Sequence, residues 1–381
     1  MRRKIYQELL QWKQRSGESA LLVQGARRVG KSYIVEAFAK AEYKSYILID
    51  FNLVDQPVKE MFEHDLVDLK TFFMKLTTYY GVKLYERESL IIFDEVQLFP
   101  RARSAIKYLV ADGRYDYIET GSLISIRENV KDILIPSEED HVDMYPLDFE
   151  EFLWANGNDT MMDFIRDCYR KKAPLGQALH RKAMDLFRQY LIVGGMPQAV
   201  NAFVKHNDFD EVDRVKRRIL NLYRDDIRKH AKGYEMKVEA IYDEIPAQMK
   251  NQNQHFKLSS LKQGARFDEY KDAMFWLSDA MIVNHCYNAT EPTFGLNLNR
   301  DRTLLKCYMG DTGLLISHAF DENGIVTGEV YKKLLLDKLE VNMGMVMENM
   351  VAQMLTASGH KLYFYSNSSR SDASSRMEID F

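Results

Sequence analysis

The fold is decided by the stretch Gly25-Ala26-Arg27-Arg28-Val29-Gly30-Lys31-Ser32, which fits the pattern Gly-x-x-x-x-Gly-Lys-Ser/Thr at every fixed position. The apolar residues 20–24 before it are typical of a short buried strand, and residues 33–41 after it have the periodicity of an amphipathic helix. The glycines let successive backbone N–H groups converge on an anion at the positive end of that helix. We therefore predict a cradle for nucleotide phosphates, against the simpler alternative of a glycine-rich turn with a surface lysine.

The residues of this loop have different expected tasks. Lys31 is expected to reach the β- and γ-phosphates, and the Ser32 hydroxyl is expected to coordinate Mg²⁺. The other positions are expected to surround the phosphates: Gly25, Ala26, Arg27, Arg28, Val29 and Gly30.

An acidic pair follows a second buried strand. Leu90-Ile91-Ile92-Phe93 is a continuous apolar run of the kind found in parallel sheets, and it ends in Asp94-Glu95. We expect Asp94 to serve the metal and Glu95 to polarise the attacking water, although such a pair also occurs as a plain strand end. The guanine signature Asn-Lys-x-Asp does not occur in the sequence, so ATP is favoured over GTP.

A further strand, residues 115–120, ends at Gly121-Ser122. A polar side chain at this strand tip can sense the γ-phosphate. We expect Ser122 to do so, with Thr120 as the rival; the alternative for Ser122 is to cap the next helix.

Composition is that of a soluble protein of two to three domains. The chain has 381 residues, 46% of them hydrophobic, and a net charge of −4, which argues against a generally basic surface for nucleic acid. Its three cysteines are widely spaced, so neither a disulfide framework nor a zinc site is expected, and a reducing cytoplasm is the expected location. Neither a signal peptide nor an apolar run long enough for a membrane span is found.

Alternating strands and helices indicate a three-layer α/β fold with a parallel sheet. The predicted strands are Leu21–Gln24, Ser45–Asn52, Leu90–Asp94, Tyr115–Thr120 and Val142–Tyr145. After Pro146 the pattern becomes helical, as expected of a small lid over the nucleotide. The predicted fold class is thus α/β, a P-loop NTPase with a helical lid.

Five motifs occur in order along the chain: the phosphate loop, Ile91-Ile92-Phe93-Asp94-Glu95-Val96-Gln97, Thr120-Gly121-Ser122, Tyr145–Leu153 and Gly194-Gly195-Met196-Pro197. Together they resemble the bacterial and archaeal AAA-type ATPases whose C-terminal half is a conserved domain of unknown function. By analogy with related signal-transduction ATPases, the resemblance implies that Gly195 and Pro197 lie near the adenine. Many members carry a Gly-Arg pair where this chain has residues 137–140, so the resemblance assigns no arginine finger.

The resemblance also implies four parts: an ATPase core at 1–146, a lid at 147–206, a winged-helix module at 207–310 and a partial restriction-endonuclease-like α/β domain at 311–381. Residues 214–232 hold eight basic residues against two acidic ones, a net charge of +6. A solvated helix face is one explanation. The other is a contact with nucleic acid or an acidic protein, through Arg214, Lys216, Arg217, Arg218 and Arg228.

In the tail, Glu348 on a predicted helix and Asp380 on a predicted strand match two elements of the metal site of such nucleases. The third element, a Glu-x-Lys on the next strand, is absent because the sequence stops at Phe381, inside the strand of Asp380, so neither a metal site nor DNA cleavage by this chain is expected. Three functions stay open: an ATP-driven switch acting on DNA or a protein, a nuclease regulated by ATP, and an ATP-binding scaffold with little turnover. The sequence leaves the oligomeric state open.

Overall fold

The structure, a computed structural model, describes residues 1–15, 17–121, 137–251, 255–291, 293, 295–320, 343–367 and 377–381. The chain divides into two compact units, Arg2–Tyr145 and Pro146–Phe381, with Met1 counted in the second. Each unit has its own sheet, of five strands in the first and four in the second. None of the helices in these ranges is both long and apolar enough to cross a membrane.

The first unit is an α/β structure. Its strands are β1 (Ala20–Gln24), β2 (Ser45–Asp50), β3 (Ser89–Asp94), β4 (Asp116–Gly121) and β5 (Glu139–Asp143), and its helices are α1 (Ile5–Gln14), α2 (Lys31–Glu42), α3 (Gln56–Glu60), α4 (Leu69–Tyr80) and α5 (Pro100–Asp112). A π-helical turn, Met61–Asp65, follows α3, and a 3-10 turn, Val96–Leu98, follows β3. All strand pairs are parallel, in the order β2-β3-β4-β1-β5.

The strand order brings the predicted site residues to one edge of the sheet. β4 lies between β1 and β3, and Val23 pairs with Thr120 while Phe93 pairs with Glu119. The carboxyl ends of β1, β3 and β4 therefore meet, which is where ligands bind in open parallel sheets. The phosphate loop leaves β1 at this edge, and Asp94 ends β3 there.

Buried aromatic rings hold this sheet to α4 and to the π-helical turn Met61–Asp65. Phe62 lies 5.1 Å from Phe72 and 5.5 Å from Phe93, measured between ring centroids in edge-to-face geometry. All three rings are buried. Aromatic pairs at such distances stabilise a fold beyond the burial of their area. They support β3 from behind, so that the end of that strand is held in place.

The parallel sheet is confirmed, but the fifth predicted strand, Val142–Tyr145, is misplaced. The strand in the structure is Glu139–Asp143, which begins within the acidic stretch 137–140. Glu139 enters the sheet because Arg103 of α5 donates to its carboxylate at 2.8 Å and His141 lies 3.0 Å away. The buried carboxylate of Glu139 is thus accommodated by a partner 36 positions away in the sequence.

The second unit is mainly helical. Its helices are α6 (Phe149–Ala155), α7 (Met161–Lys171), α8 (Gln177–Val193), α9 (Pro197–His206), α10 (Phe209–His230), α11 (Glu235–Lys250), α12 (Phe267–Asp279), α13 (Thr312–Ala319) and α14 (Met343–Ala357). Its strands are β6 (Val283–Ala289), β7 (Arg300–Met309), β8 (Leu362–Asn367) and β9 (Met377–Ile379). Helices occur where a lid was predicted.

One mixed sheet joins the parts predicted as winged helix and nuclease-like tail. The strand order is β7-β6-β8-β9, with β6 antiparallel to β7 and parallel to β8. The hairpin β6–β7, which lies within the part predicted as winged helix, thus belongs to the same sheet as the tail strands. The winged-helix and nuclease-like assignments, and the division into four parts, remain predictions.

Candidate functional site

The phosphate loop folds as a backbone cradle. Gly30, the residue before α2, has a φ of 97° in the left-handed region, which a glycine adopts without steric cost. Gly30 has no side chain, so it does not cap the first backbone N–H groups of α2. An anion placed there meets these donors and the positive end of the helix dipole. Arg28 is also left-handed, with a φ of 72°.

Lys31 is buried, with 7% of its surface exposed. Its ammonium donates to the carbonyl oxygens of Gly25 at 2.9 Å and Ala26 at 3.1 Å, so the lysine closes the loop onto itself. A buried ammonium held by neutral carbonyls exchanges them readily for anionic phosphate oxygens, because hydrogen bonds to charged acceptors are the stronger ones. Val29 is buried beneath the loop, whereas Arg27 and Arg28 are exposed.

Two hydroxyls converge on one carboxylate oxygen. Ser32 donates to Oδ1 of Asp94 at 2.7 Å, and Thr120 donates to the same oxygen in a short hydrogen bond. Asp94 is 8% exposed and Thr120 is fully buried, so both are held by the sheet. The predicted pair Ser32 and Asp94 is therefore brought together. Ser122 lies outside the described residues, and its rival Thr120 stands in the site.

Glu95 directly follows β3 in an unusual backbone conformation. Its φ is 55°, in the left-handed region that non-glycine residues rarely adopt, and its N–H donates to the Thr120 hydroxyl at 3.4 Å. Oε2 of Glu95 accepts a hydrogen bond from Nε2 of Gln97 at 2.5 Å. Strained residues of this kind cluster at functional sites. No role was predicted for Gln97, although Gln97 is the last residue of the motif that contains Asp94 and Glu95.

Arg3 is a second residue that sequence reasoning missed. Its guanidinium donates to the carbonyl of Val29 in the loop at 3.1 Å and to that of Tyr145 after β5 at 2.6 Å. It is only 7% exposed, although it precedes the first helix. Arg3 therefore ties the back of the loop to the neighbouring strand end. A motif search cannot find it, because nothing in its neighbourhood marks it as different from Arg2.

Comparison with known families agrees with this geometry. Residues 17–153 match the model of a family described as an AAA domain. The chain carries an AAA-type ATPase domain. Residues 184–323 match a second model, described as a domain of unknown function (DUF8612). A search of curated proteins found no match.

Solved structures similar to this chain include a Walker-type ATPase of Pyrococcus abyssi, PABY2304, at 14% identity over 83% of this chain and 95% of that chain, with a TM-score of 0.46. The Aeropyrum pernix ORC1 protein, solved in complex with DNA, has 9% identity over 86% and 94% and a TM-score of 0.31. The Thermotoga maritima RuvB Holliday junction branch migration motor has 12% identity over 77% and 90% and a TM-score of 0.32. These TM-scores all lie below 0.5, so no functional conclusion follows from these likenesses.

In the second unit, Gly195 is held by a buried carboxylate. Its N–H donates to Oδ2 of Asp311 at 2.6 Å, and Oδ1 of the same residue caps α13 by accepting from the Leu314 N–H at 2.9 Å. Burial raises the pKa of Asp311, while these hydrogen bonds and the charge of Lys216 oppose that rise. A side chain at Gly195 would overlap the carbonyl oxygen of Leu147. The Gly194–Pro197 turn is thus fixed by residues more than a hundred positions away.

A chain of hydrogen bonds continues from this turn. The Tyr190 hydroxyl donates to the Leu147 carbonyl at 2.8 Å and accepts from Gln353 at 3.2 Å, and Gln353 in turn accepts from the Thr312 N–H at 2.8 Å. We call Tyr190, Gly195, Asp311, Thr312 and Gln353 the polar junction. It links two of the motifs noted in the sequence, at 145–153 and 194–197, to the start of α13 and to helix α14.

The basic residues of helix α10 are not all exposed, although the net charge of this stretch suggested a basic surface. Lys216 is fully buried and donates to the Ile192 carbonyl at 2.7 Å, and burial lowers its pKa to about 8. Arg217 pairs with Asp213 at 2.7 Å and is mostly buried. The prediction that these two contact a partner is therefore wrong, because both serve the interior. Arg214 and Arg218 are exposed, and the exposed Arg228 pairs with Glu239 at 2.9 Å.

A lysine lies between the two tail carboxylates. The ammonium of Lys306, on β7, donates to Asp380 at 2.7 Å and to Glu348 at 3.1 Å, and the Tyr308 hydroxyl donates to Glu348 at 2.5 Å. Burial alone would lower the pKa of Lys306, but the hydrogen bond to Asp380 and the charge of Glu348 raise it. These residues and Glu378 line a cavity of about 290 Å³. A lysine was expected only after residue 380, so the role of Lys306 was not predicted.

We predict that Lys31→Ala abolishes nucleotide binding, because the ammonium supplies the one buried positive charge of the loop. Affinity for ATP should fall by on the order of 100-fold or more in isothermal titration calorimetry. The matched control is Arg28→Ala, which removes an exposed cation from the same loop and should weaken binding by less than about tenfold. Equal affinities of Lys31→Ala and the unchanged chain would contradict the assignment.

Proposed function

We propose that the chain hydrolyses Mg·ATP at the phosphate loop and that hydrolysis drives a conformational switch acting on DNA or a protein partner. The observation that supports this proposal best is that the hydroxyls of Ser32 and Thr120 meet on one oxygen of Asp94 at the carboxyl edge of the sheet, directly before Glu95, whose backbone N–H donates to the Thr120 hydroxyl. A scaffold that only binds ATP has no need for a second carboxylate there. Hydrolysis does need one, since the attacking water must lose a proton.

In the proposed mechanism each residue acts at a defined place. The amides at the start of α2 and the ammonium of Lys31 bind the phosphate oxygens and stabilise the charge that grows on them. The carboxylate of Glu95 accepts the proton of the attacking water, and the hydroxyl of Thr120 senses the γ-phosphate. Gly195 and Pro197 are proposed to approach the adenine, as the resemblance implies.

The residues present fit a magnesium ion. The Ser32 hydroxyl and the Asp94 carboxylate, which lie 2.7 Å apart, are oxygen groups of the kind that Mg²⁺ prefers. Ser32 would hold the ion directly, and Asp94 would hold it beside Ser32. Magnesium would supply neutralisation of the β- and γ-phosphates.

We predict that Glu95→Gln keeps ATP bound but lowers kcat by on the order of 100-fold or more, because an amide cannot accept the proton of water. Asp94→Asn should instead raise the Mg²⁺ concentration needed for half-maximal rate. Steady-state phosphate release, with ATP binding measured in parallel, separates the two effects. A wild-type rate in Glu95→Gln would mean that another group is the base.

For the partner, the exposed end of the basic helix is the surface that we propose. Arg214 and Arg218 are one helical turn apart on α10, so both present a cation on the same side. Arg228 is exposed further along, although Glu239 shares its charge. A polyanion, either DNA or an acidic protein, suits such a surface.

A reducing cytoplasm is the proposed location, since the three cysteines are buried and unpaired.

We predict that the double change Arg214→Glu and Arg218→Glu weakens DNA binding and lowers the slope of log affinity against log salt by about 2, one unit for each lost phosphate contact. Fluorescence anisotropy over a series of salt concentrations measures both. The control is Arg181→Glu with Lys182→Glu, which makes the same charge change at exposed positions of α8. Equal losses in both double variants would indicate a general charge effect and refute a site on α10.

A nuclease regulated by ATP is the second candidate, and the observation that favours it is Lys306. A lysine beside two carboxylates is the set that such enzymes use, here with the lysine supplied by β7. The contacts also argue against it. The ammonium donates hydrogen bonds to both carboxylates and so occupies the place where a divalent cation would bind. A divalent ion would have to displace the ammonium.

We therefore predict neither a Mg²⁺ or Mn²⁺ site at Glu348 and Asp380 nor DNA cleavage by the 381-residue chain. Manganese titration by calorimetry, in a Lys31→Ala background that removes nucleotide, tests the site. Incubation with linear and supercoiled DNA tests the activity. Cleavage that disappears in Asp380→Ala would overturn this prediction and place the nuclease first.

A further inference from the structure

We infer that Gln97 is a positioning residue for ATP hydrolysis, acting through the carboxylate of Glu95. Nε2 of Gln97 donates to Oε2 of Glu95 at 2.5 Å, and Gln97 is only 4% exposed. The inference rests on the proposed role of Glu95 as the base. It adds a residue that neither the phosphate loop nor the acidic pair includes.

The local backbone explains why position 97 can hold position 95. Glu95 is left-handed, and the 3-10 turn Val96–Leu98 begins directly after it, with the Leu98 N–H donating to the Glu95 carbonyl at 3.0 Å. This tight turn brings a side chain two positions on back to the glutamate. Val96 is fully buried and anchors the turn in the core. The amide of Gln97 is thus presented from a fixed frame.

The chemistry of the contact suits a base. An exposed glutamate has several rotamers, and only some of them aim a carboxylate oxygen at the attacking water. The Gln97 amide fixes Oε2, which leaves Oε1 as the oxygen that accepts the proton of water. A neutral amide does this without neutralising the carboxylate, as a lysine or arginine in the same place would. Holding a group within a fraction of an ångström of its working geometry contributes to rate and not to affinity.

The test is a double-mutant cycle on ATP hydrolysis by the full chain. Gln97→Leu removes the amide at similar volume and is made both alone and in Glu95→Gln. Alone, it should lower kcat by about tenfold or more with KM for ATP unchanged within twofold. In the Glu95→Gln background it should change kcat by less than twofold, because the carboxylate on which it acts is gone.

Three companion variants keep the test sharp. Gln97→Asn keeps a polar amide but withdraws it by one methylene, so it should lower kcat even if the leucine fails to fold. Gln97→His places a ring N–H at similar reach and should restore at least part of the rate. Gln56→Leu removes another glutamine-to-carboxylate bond, the exposed one to Glu60, and should leave kcat unchanged.

The outcomes separate the two ideas. A normal kcat in Gln97→Leu and Gln97→Asn, beside a collapsed rate in Glu95→Gln, overturns the role of Gln97 alone. An equal loss of rate in both backgrounds shows that Gln97 acts on stability or on another group, which also overturns the inference. A normal rate in Glu95→Gln defeats the proposed base and, with it, the partner through which Gln97 would act.

Discussion

The backbone donors at the start of α2, which the preceding residue does not cap with a side chain, are the constraint on which the site depends. A helix begins with N–H groups that lack intrahelical partners, and most helices satisfy them with a side chain at the preceding position. Here that position is Gly30, left-handed and without a side chain. No side chain at position 30 caps these donors, Lys31 folds back over the loop, and Arg3 and the end of β5 hold the loop from behind. The remaining site residues are arranged around the anion position that this defines.

Much of the first unit could be predicted because its signals are local. The phosphate loop, the apolar run before Asp94 and the strand that ends near Thr120 are contiguous patterns whose chemistry and periodicity belong to short windows. The AAA domain and its parallel sheet followed from them. The fifth strand was misplaced because Glu139 is buried only by virtue of Arg103, which lies on another element.

Two of the residues that were missed have partners that lie far away in the sequence. Lys216 carries a surface-like charge in a surface-like helix, and only the fold shows that its ammonium ends at the Ile192 carbonyl. Lys306 joins Glu348 and Asp380 from positions 42 and 74 residues apart in the sequence. Gln97 lies in the same motif as Glu95, but its role depends on the rare backbone conformation of Glu95, which the sequence does not reveal. Short sequence patterns therefore predicted the parallel sheet of the first unit, but they did not predict contacts that depend on distant residues or on a rare backbone conformation.

The polar junction sets an order of events during synthesis. The N–H of Gly195 waits for a carboxylate 116 residues later, and the Tyr190 hydroxyl waits for a glutamine 163 residues later. At translation rates of about 10 residues per second, these gaps correspond to roughly 10 to 20 seconds on the ribosome. Throughout that interval Gly195 lacks its carboxylate partner and Tyr190 lacks its glutamine partner, whereas the described strands of the first unit have already been made. The nascent chain thus presents a finished nucleotide fold ahead of an unfinished helical one, and the second is the part in need of protection by chaperones.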